Sequence, residues 1–432
     1  MWEQLKNSKA LKWLVFVVML VVLLLTVCIF VFNEPEKLAT CTISIKEDLQ
    51  PTAPLLLRST FDVTHSTNDA YYLPKNLYGD IKFIQDYNIN LSCPNGKVIQ
   101  NGTDTGETIV SIRYSGTNKN FEVVGTEKTV TLSQFTCSKP GHIARYTGKT
   151  CLDGFKEIGI GFQVSSSIFL REITVCFDPI EQITAYSTYS LTRFIRGSQT
   201  FESPRPYFEP GEFYNVGNQQ VNELYKQKVQ RININKQLGL SEDSTKYITE
   251  NNRHFLSRGH LTANADFVYE NQQKATFFFV NAAPQWQTFN GGNWKLLEER
   301  VRYFVGVRNV DLVVYTGTHG VMTLPHETSG EPTPIYLYNE NDVQAIPVPK
   351  MYWKVLYDPY TRAGVAFVGL NNPYNNDIKE DVLCTDICDK LTFSISWSRT
   401  NNEMGYGYCC EVKDLRAKIK NIPNIPVNSL LV

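Results

Sequence analysis

The chain has 432 residues and a formal net charge of −1, with 42% hydrophobic and 20% charged residues. That balance is ordinary for a globular protein and leaves room for two or three domains. Near-zero charge excludes a histone-like or tail-driven nucleic-acid binder, but not a site with a local basic rim.

Trp13 to Phe32 carries no charge. At helical rise its span is ~30 Å, one bilayer core. Lys6, Lys9 and Lys12 precede it. The positive-inside rule then predicts a cytosolic stretch 1–12, a transmembrane signal anchor 13–32, and everything after residue 33 on the extracellular side. A cleaved signal peptide is the competing reading, although its apolar core usually runs about 7–15 residues. Both readings deliver the body to an oxidising space, displayed on the membrane or secreted.

Cysteine usage agrees with export. Cys28 lies in the apolar segment and nine cysteines follow it, for which disulfides are the default. Cys384 and Cys388 pair with Cys409 and Cys410 in an order left open, and the five upstream leave one over. A C-x3-C…C-C spacing suits zinc poorly. Asn90-Leu-Ser and Asn101-Gly-Thr are glycosylation acceptors.

Residues 33–58 read as a linker and first strand. Short alternating runs follow, such as YNINLSC, GETIVSIRYS, IGIGFQVS and IFLREITVCF, separated by polar turns. They predict a small β-rich domain over 33–177. No catalytic cluster falls in it, so stabiliser, docking surface and spacer all stay open.

From 178 onward the composition shifts. Ala185–Ser198 reads as strand and turn. Arg205 sits between prolines in a rigid loop, where a bidentate donor is well placed. Residues 217–240 read as one helix with its basic residues outward.

The stretch Ser257–Arg302 concentrates the chemistry. It begins SRGHLTANADF and ends NAAPQWQTFNGGNWKLLEERVR. Ala275–Val280 reads as a buried strand, with Asn281 starting a turn. Trp294, Leu297, Val301 and Phe304 have apolar helical spacing, which predicts a helix from Asn293 to about Phe304 and places Asn290 at its start. Phosphodiester hydrolysis needs a proton acceptor for water, a cation on the phosphoryl oxygens and help for the leaving oxygen. Histidine, Mg²⁺ on one or two oxygens, and arginine meet those needs. Trp294 reads as packing at the helix base, and the other histidines as structural.

With these residues in register (S-R-G-H, N-x-x-P-Q, F-N-G-G-x-W, L-E-x-x-x-R), the stretch resembles the DNA/RNA non-specific endonuclease family, with its D-R-G-H signature and ββα-metal site. DLVVYTGTHG and MYWKVLYDPYTRAGVAFVGLNNPY resemble the family's central strands, and the N-terminal region resembles insect secreted double-stranded-RNA and salivary nucleases. The resemblance implies an α+β fold: a nuclease domain over 178–432 with a central antiparallel sheet and flanking helices, behind the β-rich domain and the membrane helix. It implies DNA and RNA as substrates and Mg²⁺ (or Mn²⁺) as cofactor. It implies His260 as general base and Asn290 as the one protein ligand of the metal. Arg258 and Arg205 would contact phosphate, and Asn281 would support that geometry. Glu298 would hold a water of the metal and Arg302 would act near the leaving group. The family's first Asp is Ser257 here, which keeps a second reading in play, a nuclease-shaped binder with little turnover. A homodimer stays open.

Overall fold

The computed structural model describes residues 9–32, 38–61, 67–139, 141–200, 204–251, 253–340, 343–375, 377–393 and 395–432. Lys9–Phe32 forms one helix, α1. Within its apolar run, side chains are described only for Trp13–Leu23, all of them exposed. On the described residues no helix is long and apolar enough to cross a membrane, so the expected 13–32 span gains no support from the structure. The expected cytosolic stretch lies largely outside the described residues.

Upstream of 142 the described residues form three small antiparallel sheets. The largest joins Leu55–Arg58, Asn88–Ser92, Ile109–Tyr114, Phe121–Val123 and Thr129–Val130 in that order. Asn88–Ser92 and Ile109–Tyr114 are strands that the alternating runs predict, whereas the runs IGIGFQVS and IFLREITVCF belong to the main sheet. Asn90 lies in one of them and accepts a hydrogen bond from Ser111 Oγ at 2.7 Å, whereas Asn101 is exposed in a turn.

The main sheet takes its strands from both sides of the expected 177/178 boundary. They are β1 (His142–Thr150), β2 (Lys156–Gln163), β3 (Phe169–Asp178), β4 (Ile183–Leu191), β7 (Leu312–Val321), β8 (Pro349–Asp358), β9 (Ala363–Leu370) and β10 (Gly407–Cys410). They lie in that order, each antiparallel to its neighbour, and a two-residue strand, Ser429–Leu430, adds to the same sheet in parallel with β9. The boundary falls inside β3, and β3 pairs directly with β4 through Asp178↔Ile183. One buried core also runs from Cys41 to Leu431. A two-strand unit, β5 (Leu256–His260) and β6 (Ala282–Trp286), and the helix α3 (Lys295–Arg308) pack on this sheet.

Strands β8 and β9 are apolar almost without a break because both faces are covered. Tyr352, Leu356, Val365 and Phe367 point into the core shared with α3, which contributes Leu297, Val301, Phe304 and Val305. Met351, Trp353, Val355 and Val368 point the other way, against Val412 and Leu415 of a C-terminal helix. This period-2 alternation places Lys354 on the α3 side of the sheet.

Three local expectations are corrected. Ala275–Val280 is buried but not a strand: Phe279–Asn281 is a 3₁₀ turn and the strand is β6. The side chain of Asn281 takes the backbone's bonds there, donating to Thr262 O and Thr276 O and accepting from Thr262 N. Residues 217–240 form two helices, Val221–Leu224 and α2 (Gln227–Leu238), because Lys226 is extended. The helix expected from Asn293 starts its regular turns at Lys295, after a wider turn over Asn290–Trp294 with non-helical Gly292.

Disulfides join Cys93 to Cys137, Cys151 to Cys176, Cys384 to Cys410 and Cys388 to Cys409. Cys41 is free and buried, the cysteine left over upstream.

Candidate active site

Strands β5 and β6 are antiparallel, pairing Ser257 with Gln285 and His260 with Ala282. Gly259 leaves room for its cross-strand neighbour, since a Cβ there would lie 2.5 Å from Gln285 Cβ. With α3 these strands frame a cleft of about 500 Å³. His260, Asn290, Arg205, Arg258, Glu298 and Arg302 all line it, together with Ser257, Phe208 and Tyr225. Six of the seven sequence-predicted residues therefore meet in one place. The seventh, Asn281, is fully buried beneath it. It does not reach the cleft and can act only through its neighbours.

His260 ends β5 with its ring between Phe208 and Phe277, centroids 4.9 and 5.0 Å away. Its Nε2 lies 3.4 Å from Thr276 Oγ1. That hydroxyl gives its proton to Gln273 O at 2.7 Å, so toward the imidazole it accepts. The arrangement favours the proton on Nε2 and leaves Nδ1 as the basic nitrogen. Asn281 anchors Thr276 O at 3.0 Å and so supports the tautomer from below. Burial, with the Arg205 charge added, pushes the imidazole down to about 3, which keeps it neutral.

Arg258 is half-buried among the rings of Tyr225, Phe279 and Phe208, 5.1, 5.7 and 5.9 Å from their centroids. Its Nη2 donates to Asn222 O and Oδ1, both at 3.3 Å, and its Nε has no partner. Among the described residues no carboxylate pairs with it. A desolvated cation without a counter-ion, set in a cleft, is a ready site for an anion. Arg205 is exposed above Phe277, 5.4 Å from its centroid. Its loop is docked by Glu209, which exchanges backbone bonds with Phe277 and Phe279.

Glu298 and Arg302 rise from α3 beside two charges that sequence reasoning missed. Arg302 Nη1 donates to Asp266 Oδ1 at 2.8 Å, and Tyr189 donates to the same carboxylate. Lys354 is buried on β8, donating to Thr316 Oγ1 at 2.6 Å. Burial pushes Glu298 up to about 7, with Asp266 adding to the rise and Lys354 and Arg302 opposing it. Lys354 was visible as one charge inside the apolar run MYWKVLY, and Asp266 as the acid closing NADF.

A profile of the DNA/RNA non-specific endonuclease family matches residues 154–415. The chain belongs to that family. The salivary endonuclease of Lutzomyia longipalpis is 28% identical over 327 residues, covering 75% of this chain and 76% of the relative. Salivary protein Tsal2A of Glossina morsitans morsitans is 26% identical over 403 residues, covering 90% and 94%. Among solved structures, the EndoG/EndoGI complex covers 66% of this chain and 92% of its own at 16% identity and a TM-score of 0.32, too slight a likeness to argue from.

The donor set of this endonuclease suits a hard cation. The Nδ2 of Asn290 is engaged with Ser257 Oγ at 3.1 Å, which leaves Oδ1 as the end free for a ligand. An amide oxygen, with the Glu298 carboxyl in the same cleft, fits Mg²⁺ (or Mn²⁺), which keeps most of its own waters. Among the described residues one group of three His, Cys, Asp or Glu side chains has metal-like spacing, Asp386 with Cys388 and Cys409, and its cysteines are bonded to each other. Trp294 is buried against Phe289 and Tyr352, at 5.5 and 5.6 Å, so it packs the helix base.

Proposed function

We propose that the chain is a metal-dependent endonuclease that hydrolyses phosphodiester bonds of both DNA and RNA, double-stranded RNA included. The observation that carries this reading is one cleft holding an imidazole that burial keeps neutral, an amide oxygen turned away from its serine partner, and an arginine with no carboxylate partner among the described residues.

His260 takes the proton of the attacking water at Nδ1. Arg205 and Arg258 hold the phosphate in line with that water. Arg302, clamped by Asp266, faces the charge that grows on the leaving side. Asn281 and Thr276 fix the imidazole. Asn290 would hold Mg²⁺ (or Mn²⁺), which stabilises negative charge building on the phosphoryl oxygens when bound.

The four disulfides and the salivary relatives support export, through the apolar segment 13–32 as anchor or as cleaved signal. The N-terminal mass of the mature protein separates those two.

Plasmid DNA and double-stranded RNA, incubated with the protein with and without EDTA beside His260→Ala, test the reading. Cutting that needs both the metal and His260 is expected. Nucleic-acid binding with no metal-dependent cutting would leave only a nuclease-shaped binder.

A further inference from the structure

Ser257 stands where the family motif begins with aspartate, and the loss of that carboxylate looks at first like a loss of function. The geometry gives the hydroxyl a different task. Ser257 Oγ lies 2.9 Å from Gln285 O, its partner across the β5–β6 ladder. A carbonyl oxygen only accepts, so the single hydroxyl proton goes there. Toward Asn290, 3.1 Å away, Oγ can then only accept. The end of the Asn290 carboxamide that faces Ser257 must therefore be its NH₂. Proton counting, and not the placement of two similar atoms, fixes this orientation.

We propose that Ser257 is a positioning residue that sets the flip of the Asn290 carboxamide and so keeps its oxygen available to a divalent cation. The proposal rests on the reading of Asn290 as metal ligand. It also says why serine works here. An aspartate could accept from Asn290, but its carboxylate would face Gln285 O with no proton to give. Serine satisfies both partners at once, and the wide turn over Asn290–Trp294 keeps the amide within reach. Without the hydroxyl, the acceptor that selects the NH₂ end is lost, and an NH₂ turned to the cleft repels a cation.

The test is Mn²⁺ binding to the full chain without nucleic acid, read from the electron paramagnetic resonance of free Mn²⁺. Ser257→Ala should weaken binding by about tenfold or more, the size typical for lost outer-shell support. Ser257→Thr, which keeps the hydroxyl, should bind near wild type. Thermal unfolding of each variant reports folding, and Ser257→Cys, close in volume with a poor hydrogen bond, carries the same test should the alanine variant unfold. Wild-type Mn²⁺ affinity in Ser257→Ala with weakened Asn290→Ala overturns this inference alone. Equal losses in Ser257→Ala and Ser257→Thr overturn it as well. Wild-type affinity in Asn290→Ala overturns it together with the metal-ligand reading.

Discussion

Arg302, on the cleft wall, and Asp266, behind it, form an ion pair, Nη1 to Oδ1 at 2.8 Å, with the carboxylate almost fully buried and the guanidinium mostly so. A buried pair is costly to break from one side, because the surviving charge is left without a partner. Asp266→Ala should therefore cost about 3 kcal/mol or more of stability. Urea unfolding at neutral pH measures it, and a loss under about 1 kcal/mol, the range of an exposed pair, would show that the pair is not buried in solution.

His260 should stay neutral well below the usual histidine range. Burial and the Arg205 charge hold its pKa at about 3. The folded value lies below the unfolded one of about 6.5, so protons favour the unfolded chain. The stability this group contributes is present above about pH 6.5 and is lost as pH falls toward 3. Histidine NMR of the metal-free protein should show the His260 ring neutral at pH 5, and Arg205→Gln should raise its midpoint. A midpoint at 6.5 in wild type would contradict the burial argument.

Removing the base should separate binding from turnover. His260→Ala is expected to lose at least about a hundredfold in rate, the scale of one general base, while its affinity for nucleic acid stays close to wild type. Thr276→Val, which removes the acceptor for Nε2–H, should lower the rate less and leave affinity intact. Fluorescence anisotropy beside single-turnover digestion reads both quantities.

Arg258 should act on affinity. Each phosphate contact to a duplex contributes about 0.9 to the slope of log K against log salt. Arg258→Met should lower affinity in low salt and reduce that slope by about one. An unchanged slope would mean that Arg258 serves Tyr225 and Asn222 only.

The C-terminal cysteines should pair across, Cys384 with Cys410 and Cys388 with Cys409, closing loops of sequence separation 26 and 21. Peptide mapping under non-reducing conditions checks the order. Replacing Cys388 and Cys409 together by serine should cost about 3 kcal/mol on loop-entropy grounds.

By itself the sequence determined the family and pointed to six of the residues that line the cleft. Five of them, Arg258, His260, Asn290, Glu298 and Arg302, sit in motifs of fixed spacing, and spacing on a strand or a helix is a local property that the chain carries without folding. The strand character of the alternating runs upstream was visible for the same reason. Tertiary structure decided what depends on segments distant in sequence. It carried the sheet through residue 178 by pairing β3 with β4, where a composition shift suggested a border. It turned the apolar run Ala275–Val280 into a buried turn, because the Asn281 amide supplies bonds that a ladder would otherwise make. It set Lys354 and Asp266 beside Glu298 and Arg302 from three separate parts of the chain. And it gave Ser257 its hydrogen-bond partners, Gln285 O and Asn290, which no reading of a four-residue motif contains. The physical reason is common to all four: hydrogen-bond partners and buried charges are assigned by which backbones end up within 3 Å, and only the folded chain brings those backbones together.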